Sequence, residues 1–127
     1  MDKIPIIIVT VVILAAVFFL WYSGATKTGI EPTPMPAGIV FFYGDTCPHC
    51  KNVEDFISQN KIADKVKFTQ LEVSQNQSNA LLLANTEQSC KIDISSGASV
   101  PLLWDGSKCY LGDEDAINFF KNAAGIK

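Results

Sequence analysis

The sequence predicts a small α/β domain of order strand, helix, strand, helix, strand, strand, helix, carried behind one N-terminal apolar helix. Three observations predict it. The run Ile39-Val40-Phe41-Phe42-Tyr43 is continuously apolar, as in a strand buried on both faces of a parallel sheet. It feeds Cys47-Pro48-His49-Cys50, two cysteines two residues apart at a helix start. Further on, Asp105-Gly106 separates two short apolar runs and is a strong hairpin signal.

The chain has room for one small domain at 127 residues, and its hydrophobic content of 48% is concentrated at the N-terminus. Its basic residues are all lysine and its net charge is −3, which excludes a nucleic-acid-binding footprint. Residues 4–22 carry no charge, and as a helix they span roughly 28 Å, about the hydrocarbon thickness of a bilayer. Trp21 and Tyr22 close the run, where amphipathic rings favour the membrane interface. Pro5 falls in the first turn, where it costs little. Residues 1–23 are therefore expected to be an uncleaved transmembrane signal anchor, single-pass in the lipid bilayer. The rival is a signal peptide cut near Ser23-Gly24-Ala25, although the apolar run exceeds a usual signal core. Either reading places the domain outside the cytoplasm, periplasmic or at the cell surface.

Residues 24–37 contain Pro32, Pro34 and Pro36 and read as an extended linker. About fourteen residues at ~3 Å each reach up to roughly 40 Å. The folded domain is expected over 38–127. After the first strand, 48–59 is a helix with Val53, Phe56 and Ile57 on one face. Residues 66–73 alternate as a second strand, and 75–89 form a second helix with Ala80, Leu81, Leu83 and Ala84 as its apolar stripe. Pro101 opens a third strand ending at Trp104, a position where a missing donor is tolerated. Residues 108–111 return as the fourth strand. Gly112-Asp113-Glu114-Asp115 starts a last helix, charged to suit its dipole, with Ala116, Ile117, Phe119, Phe120 and Ala123 inward and Gly125 at its end.

The chemistry lies in the cysteine pair. Pro48 suits the first helical position, which puts Cys47 at the helix N-terminus beside free N–H groups. That end favours thiolate over thiol. Cys50, one turn on, closes a disulfide with Cys47, so the pair is a two-electron switch in which Cys47 is the nucleophile and Cys50 resolves the mixed disulfide. His49, between them, is expected to tune the pair by stabilising the Cys47 thiolate. A dithiol stabilised when reduced is an oxidant as a disulfide, so the sequence leans towards donating disulfides.

Cys47-Pro48-His49-Cys50 after an aromatic strand resembles the active site of the thioredoxin superfamily, and its middle residues resemble those of DsbA-type disulfide oxidases. The element order resembles glutaredoxins, as do Val100-Pro101 and the Asp105-Gly106 hairpin followed by Leu111-Gly112-Asp113. The resemblance implies a four-stranded mixed sheet flanked by helices. It also implies a cis peptide before Pro101 that presents Val100 to substrate backbone beside Cys47. It implies a thiol–disulfide oxidoreductase acting on protein thiols and disulfides and recycled by a membrane redox partner, of which a quinone-linked protein is one form. Phe41 stands where thioredoxins carry a buried acid, and the spacing from Cys50 to Pro101 leaves no room for the large helical insertion of the DsbA type. No metal or organic cofactor is implied beyond the redox disulfide. For glutathione, the sequence offers Lys51 and only Gly112 of the usual glycine pair.

In a glutaredoxin-like layout Cys90 and Cys109 are expected to form a structural disulfide closing a loop of about twenty residues. A second redox pair and two unpaired thiols are the alternatives. Two other functions stay open. One is a zinc site built from Cys47, Cys50, Cys90 and Cys109, with His49 in reserve. The other is a tethered partner-binding module without catalysis. The direction of exchange is read as oxidase before reductase or electron shuttle.

Overall fold

The computed structural model describes residues 3–23 and 34–127. It divides into two units, Met1–Glu31 and Pro32–Lys127. In the first, helix α1 spans Ile4–Ser23. Its section Ile4–Tyr22 is long and apolar enough to cross a membrane, and none of it is buried against protein. The side chain that breaks the apolar run, Thr10, donates its hydroxyl to the carbonyls of Ile6 and Ile7 at 3.1 and 2.9 Å, so the helix itself satisfies it. The expected linker lies largely outside the described residues. Its last part does not hang free: Pro36 accepts a hydrogen bond from the Trp104 indole at 3.0 Å.

The second unit carries β1 (Ile39–Tyr43), α2 (Pro48–Gln59), β2 (Phe68–Glu72), α3 (Gln77–Ser89), β3 (Leu102–Trp104), β4 (Cys109–Leu111) and α4 (Asp113–Ala123). A short 3-10 turn, Ile62–Asp64, follows α2. The strands form one sheet in the order β2-β1-β3-β4. β1 and β2 run parallel, Ile39 facing Phe68 and Tyr43 facing Glu72. β3 runs antiparallel to β1, and β4 antiparallel to β3. A parallel pair needs a crossover, and α2 supplies it.

Because side chains alternate across a strand, an unbroken apolar run at the sheet centre serves two cores at once. Phe41 points to one face, where it packs with Leu103, Val53, Ile57, Ala116 and Phe120 under α2 and α4. Val40 and Phe42 point to the other, where they pack with Leu83, Leu102 and Trp104. Phe41, Phe42, Phe120 and Val53 are fully buried. Replacing one such phenylalanine by alanine costs about 3–5 kcal/mol. β2 lies at the sheet edge, and accordingly Thr69 and Gln70 face water.

The second helix of the domain differs in detail from the expected one. α3 begins at Gln77, because Asn76 serves as N-cap and its side chain accepts from the Asn79 N–H at 3.1 Å. Its buried face is Leu83, Thr86 and Glu87, whereas Leu81 is 46% exposed. The helical spacing of that face is the expected one, but two of its positions are polar. Thr86 donates its hydroxyl to the Leu82 carbonyl at 2.7 Å, which lets it enter a core.

Candidate active site at the start of α2

β1 ends at Tyr43, and the chain turns through Gly44, with the Cys47 N–H donating to the Gly44 carbonyl at 3.1 Å. Gly44 is buried, and a Cβ there would lie 2.8 Å from the Ser74 hydroxyl and 3.8 Å from the Cys47 Cβ. A larger residue would have to displace the Ser74 hydroxyl on the loop that leaves β2. The sequence reading had not singled out this glycine. The loop is tied again where Gln75 donates its amide to Asp45 at 2.9 Å.

Cys47 is the N-cap of α2, with extended backbone and Pro48 at the first helical position. Its sulfur accepts the Cys50 N–H at 3.1 Å. A helix N-terminus holds several N–H groups without backbone partners, and here a sulfur takes one of them. Cys47 and Cys50 are disulfide-bonded with Cα atoms 5.2 Å apart. Cys47 is half-buried and Cys50 is fully buried, so an incoming thiolate reaches Cys47 first.

Fifty-three residues further along, the Val100 carbonyl oxygen lies 3.7 Å from the Cys47 sulfur. The Val100–Pro101 peptide is cis. Pro101 is buried, and its carbonyl accepts from the Gly112 N–H at 2.9 Å. Gly112, with φ +95°, turns the chain from β4 into α4. The site is thus built from three places: the start of α2, the entry to β3 and the start of α4.

The third element brings the contact that sequence reasoning missed. Asp113 Oδ2 accepts from His49 Nδ1 at 3.1 Å and from Asn52 Nδ2 at 2.7 Å. His49 and Asn52 are three apart and share one face of α2, which packs against α4. A carboxylate only accepts, so Nδ1 carries the proton. The Asn52 amide and the His49 ring together hold the Asp113 carboxyl down to about 2. His49 was expected to serve the two sulfurs; the ring nitrogen nearer the backbone is turned to α4 instead. The signal that could have found this contact was the acidic start of α4 combined with two polar residues at helical spacing in the motif.

Phe41 is fully buried and stacks on Tyr43 with ring centres 5.9 Å apart. Lys51 is exposed and pairs with Asp55 along α2. Cys90 and Cys109 are disulfide-bonded with Cα atoms 6.1 Å apart. The four cysteines therefore form two separate pairs and do not gather into one four-sulfur set.

A four-stranded mixed sheet in the order β2-β1-β3-β4, with β1 and β2 parallel and β3 and β4 antiparallel beyond β1, and a Cys-x-x-Cys opening the crossover helix decide the architecture. The domain has a thioredoxin-like fold. No family model matches the chain, and no curated protein matches it. Among solved structures this thioredoxin-like domain is similar to a wheat glutaredoxin at 18% identity, over 72% of this chain and 79% of that one, with TM-score 0.48. A glutaredoxin from Archaeoglobus fulgidus matches at 22% identity, over 78% of this chain and 97% of that one, with TM-score 0.45. Oxidized glutaredoxin 2 from Chlamydomonas reinhardtii matches at 19% identity, over 71% and 84%, with TM-score 0.45. Likeness at this level adds nothing to the strand order from which the fold is read.

Proposed function

We propose that this chain is a membrane-anchored thiol–disulfide oxidoreductase that exchanges disulfides with extracytoplasmic protein thiols through Cys47–Cys50. The observation that carries the reading is the half-buried Cys47 sulfur at the N-terminus of α2, held by the Cys50 N–H and facing the Val100 carbonyl. In the oxidised state a substrate thiolate attacks the Cys47 sulfur, and the electron pair of the broken S–S bond leaves on Cys50. Cys47 is then in mixed disulfide with the substrate. A second substrate thiolate releases it, which leaves a substrate disulfide and a reduced pair. Val100 and Pro101 lie where an extended substrate backbone would run beside Cys47. A membrane redox partner recycles the pair, and α1 keeps the domain near it.

Disulfide donation is the first direction. It is supported by the N–H donor on the Cys47 sulfur, which favours the thiolate, and by apolar Phe41 where a buried acid would help a reductant. A reductase or shuttle is the second reading, favoured by the contact that turns His49 onto Asp113. The reduction potential of Cys47–Cys50, measured in the full chain in detergent against glutathione buffers, tests both. A value near or above roughly −150 mV supports donation, and one below roughly −250 mV supports the reductase. Alkylation and mass shift follow the second disulfide separately.

A further inference from the structure

Sequence makes His49 an activator of Cys47, but its position gives it a second partner. Asp113 reaches it from the first turn of another helix, with one carboxylate oxygen shared between His49 Nδ1 and Asn52 Nδ2. The backbone that carries it is anchored as well, because the Gly112 N–H before it is bound to the Pro101 carbonyl. The Asp113 side chain is 21% exposed, against 70% for His49, so the acid is the more enclosed member of the pair.

We infer that Asp113 is a positioning residue that sets the redox poise of Cys47–Cys50 through His49, by holding the imidazole on α4 and placing a fixed negative charge against it. The inference rests on the exchange function proposed above. Its physical basis is simple. A thiolate at Cys47 is stabilised by positive charge and N–H donors near the start of α2. An imidazole whose Nδ1–H is given to a carboxylate offers that sulfur less net positive charge and only its other nitrogen. Asp113 stays ionised throughout the neutral range, so its charge against the ring is constant there. The domain is consequently a weaker oxidant than its Cys-Pro-His-Cys motif alone implies. This also explains why the acidic start of α4 begins with a residue that faces inward, while Glu114 and Asp115 face water.

The test is the equilibrium of the full chain in detergent with reduced and oxidised glutathione. Two glutathione thiols supply two electrons and two protons to open the disulfide and leave as glutathione disulfide. Asp113→Asn keeps an acceptor for Asn52 and removes the charge. The constant for reduction is expected to rise at least threefold, or about 14 mV. In a His49→Ala background the same change is expected to move it by less than about 1.5-fold, since the effect passes through the ring. Glu114→Gln, which removes a charge from the same turn without touching His49, is expected to leave it unchanged. No shift in Asp113→Asn overturns the inference. So does an undiminished shift without His49, or an equal shift in Glu114→Gln. Should Asp113→Asn fail to fold, Asp113→Ser carries the same expectations. Failure of the underlying function looks different: no thiol buffer would then interconvert the Cys47–Cys50 pair in any variant, and the inference would fall with it.

Discussion

The two disulfides lie at opposite ends of one sheet. Phe42, Leu102 and Leu111 are aligned at the end where β1 leads to Cys47, whereas Val40, Trp104 and Cys109 are aligned at the other. Cys47 caps the N-terminus of α2, and Cys90 caps the C-terminus of α3. The helix dipole therefore acts on them with opposite sign: the Cys50 N–H faces the Cys47 sulfur, whereas at the end of α3 the Thr86 carbonyl lies 3.7 Å from the sulfur of Cys109, the partner of Cys90. The ring closed by the first bond spans a sequence separation of 3, and that closed by the second spans 19. A short ring at a helix N-terminus restrains little of the unfolded chain but favours a leaving thiolate. A long ring at a helix C-terminus restrains much and disfavours one. The same bond is thus suited to exchange at one end and to stability at the other.

The sharpest way to break this contrast is to swap the losses. Cys47→Ser is expected to lower the rate of oxidation of a peptide dithiol by more than ~1,000-fold, while Cys90→Ser with Cys109→Ser leaves it within about twofold. If the second pair matters equally for turnover, the division of labour is wrong. Urea unfolding should show the reverse. The Cys90→Ser, Cys109→Ser double variant is expected to lose roughly 3 kcal/mol, and reduction of Cys47–Cys50 alone much less. Reactivity sharpens the comparison further. With both pairs reduced, alkylation at pH 6 is expected to be about tenfold faster at Cys47 than at Cys90, because only the first sits at a helix N-terminus.

Smaller effects belong to the carboxyls beside each region. Glu87, on α3 one turn before Cys90, is fully buried; one oxygen accepts the Ser99 N–H at 2.9 Å and the other has no partner among the described residues. Burial pushes its carboxyl up, against the pull of Ser99. The fold therefore keeps a proton that the unfolded chain has already released, and stability falls as pH rises from the ordinary glutamate range through the raised value. Glu87→Gln is expected to raise stability at pH 7 by on the order of 1 kcal/mol and to change little at pH 4, read from urea midpoints. Asp113 has the opposite sign. Its carboxyl lies lowered to about 2, so its support is present above the ordinary aspartate range and is lost as pH falls through about 2. Asp113→Asn should flatten that acid limb of the wild-type midpoint curve, the smallest change of the five because the pair is solvent-exposed.

Much of this was legible beforehand. The strand at 39–43, the helix at 48–59 and the hairpin around Asp105-Gly106 agree with β1, α2 and the β3–β4 turn. The α3 stripe was less so. Leu81 fitted the apolar pattern yet is exposed, and Thr86 and Glu87 were passed over because polar side chains give no hydrophobic signal. Both are buried through hydrogen bonds that only the folded backbone supplies. Pro36 was assigned to a linker by composition, and composition gave no sign that its carbonyl accepts from the Trp104 indole sixty-eight residues away.

The sequence by itself determined what depends on near neighbours: an apolar helix of membrane length, the helix start at Cys47, the strand periods and the hairpin. Those features follow from spacing, caps and dihedral preferences within a turn or two of chain. Tertiary structure decided that Cys90 meets Cys109 and that Val100 faces Cys47, both foreseen only through the resemblance, and that Asp113 takes hold of His49, which was not foreseen at all. Each of these joins residues 19 to 64 apart in the chain. Their distance in space is set by strand order and by the packing of α2 on α4, and neither quantity is written in any local stretch.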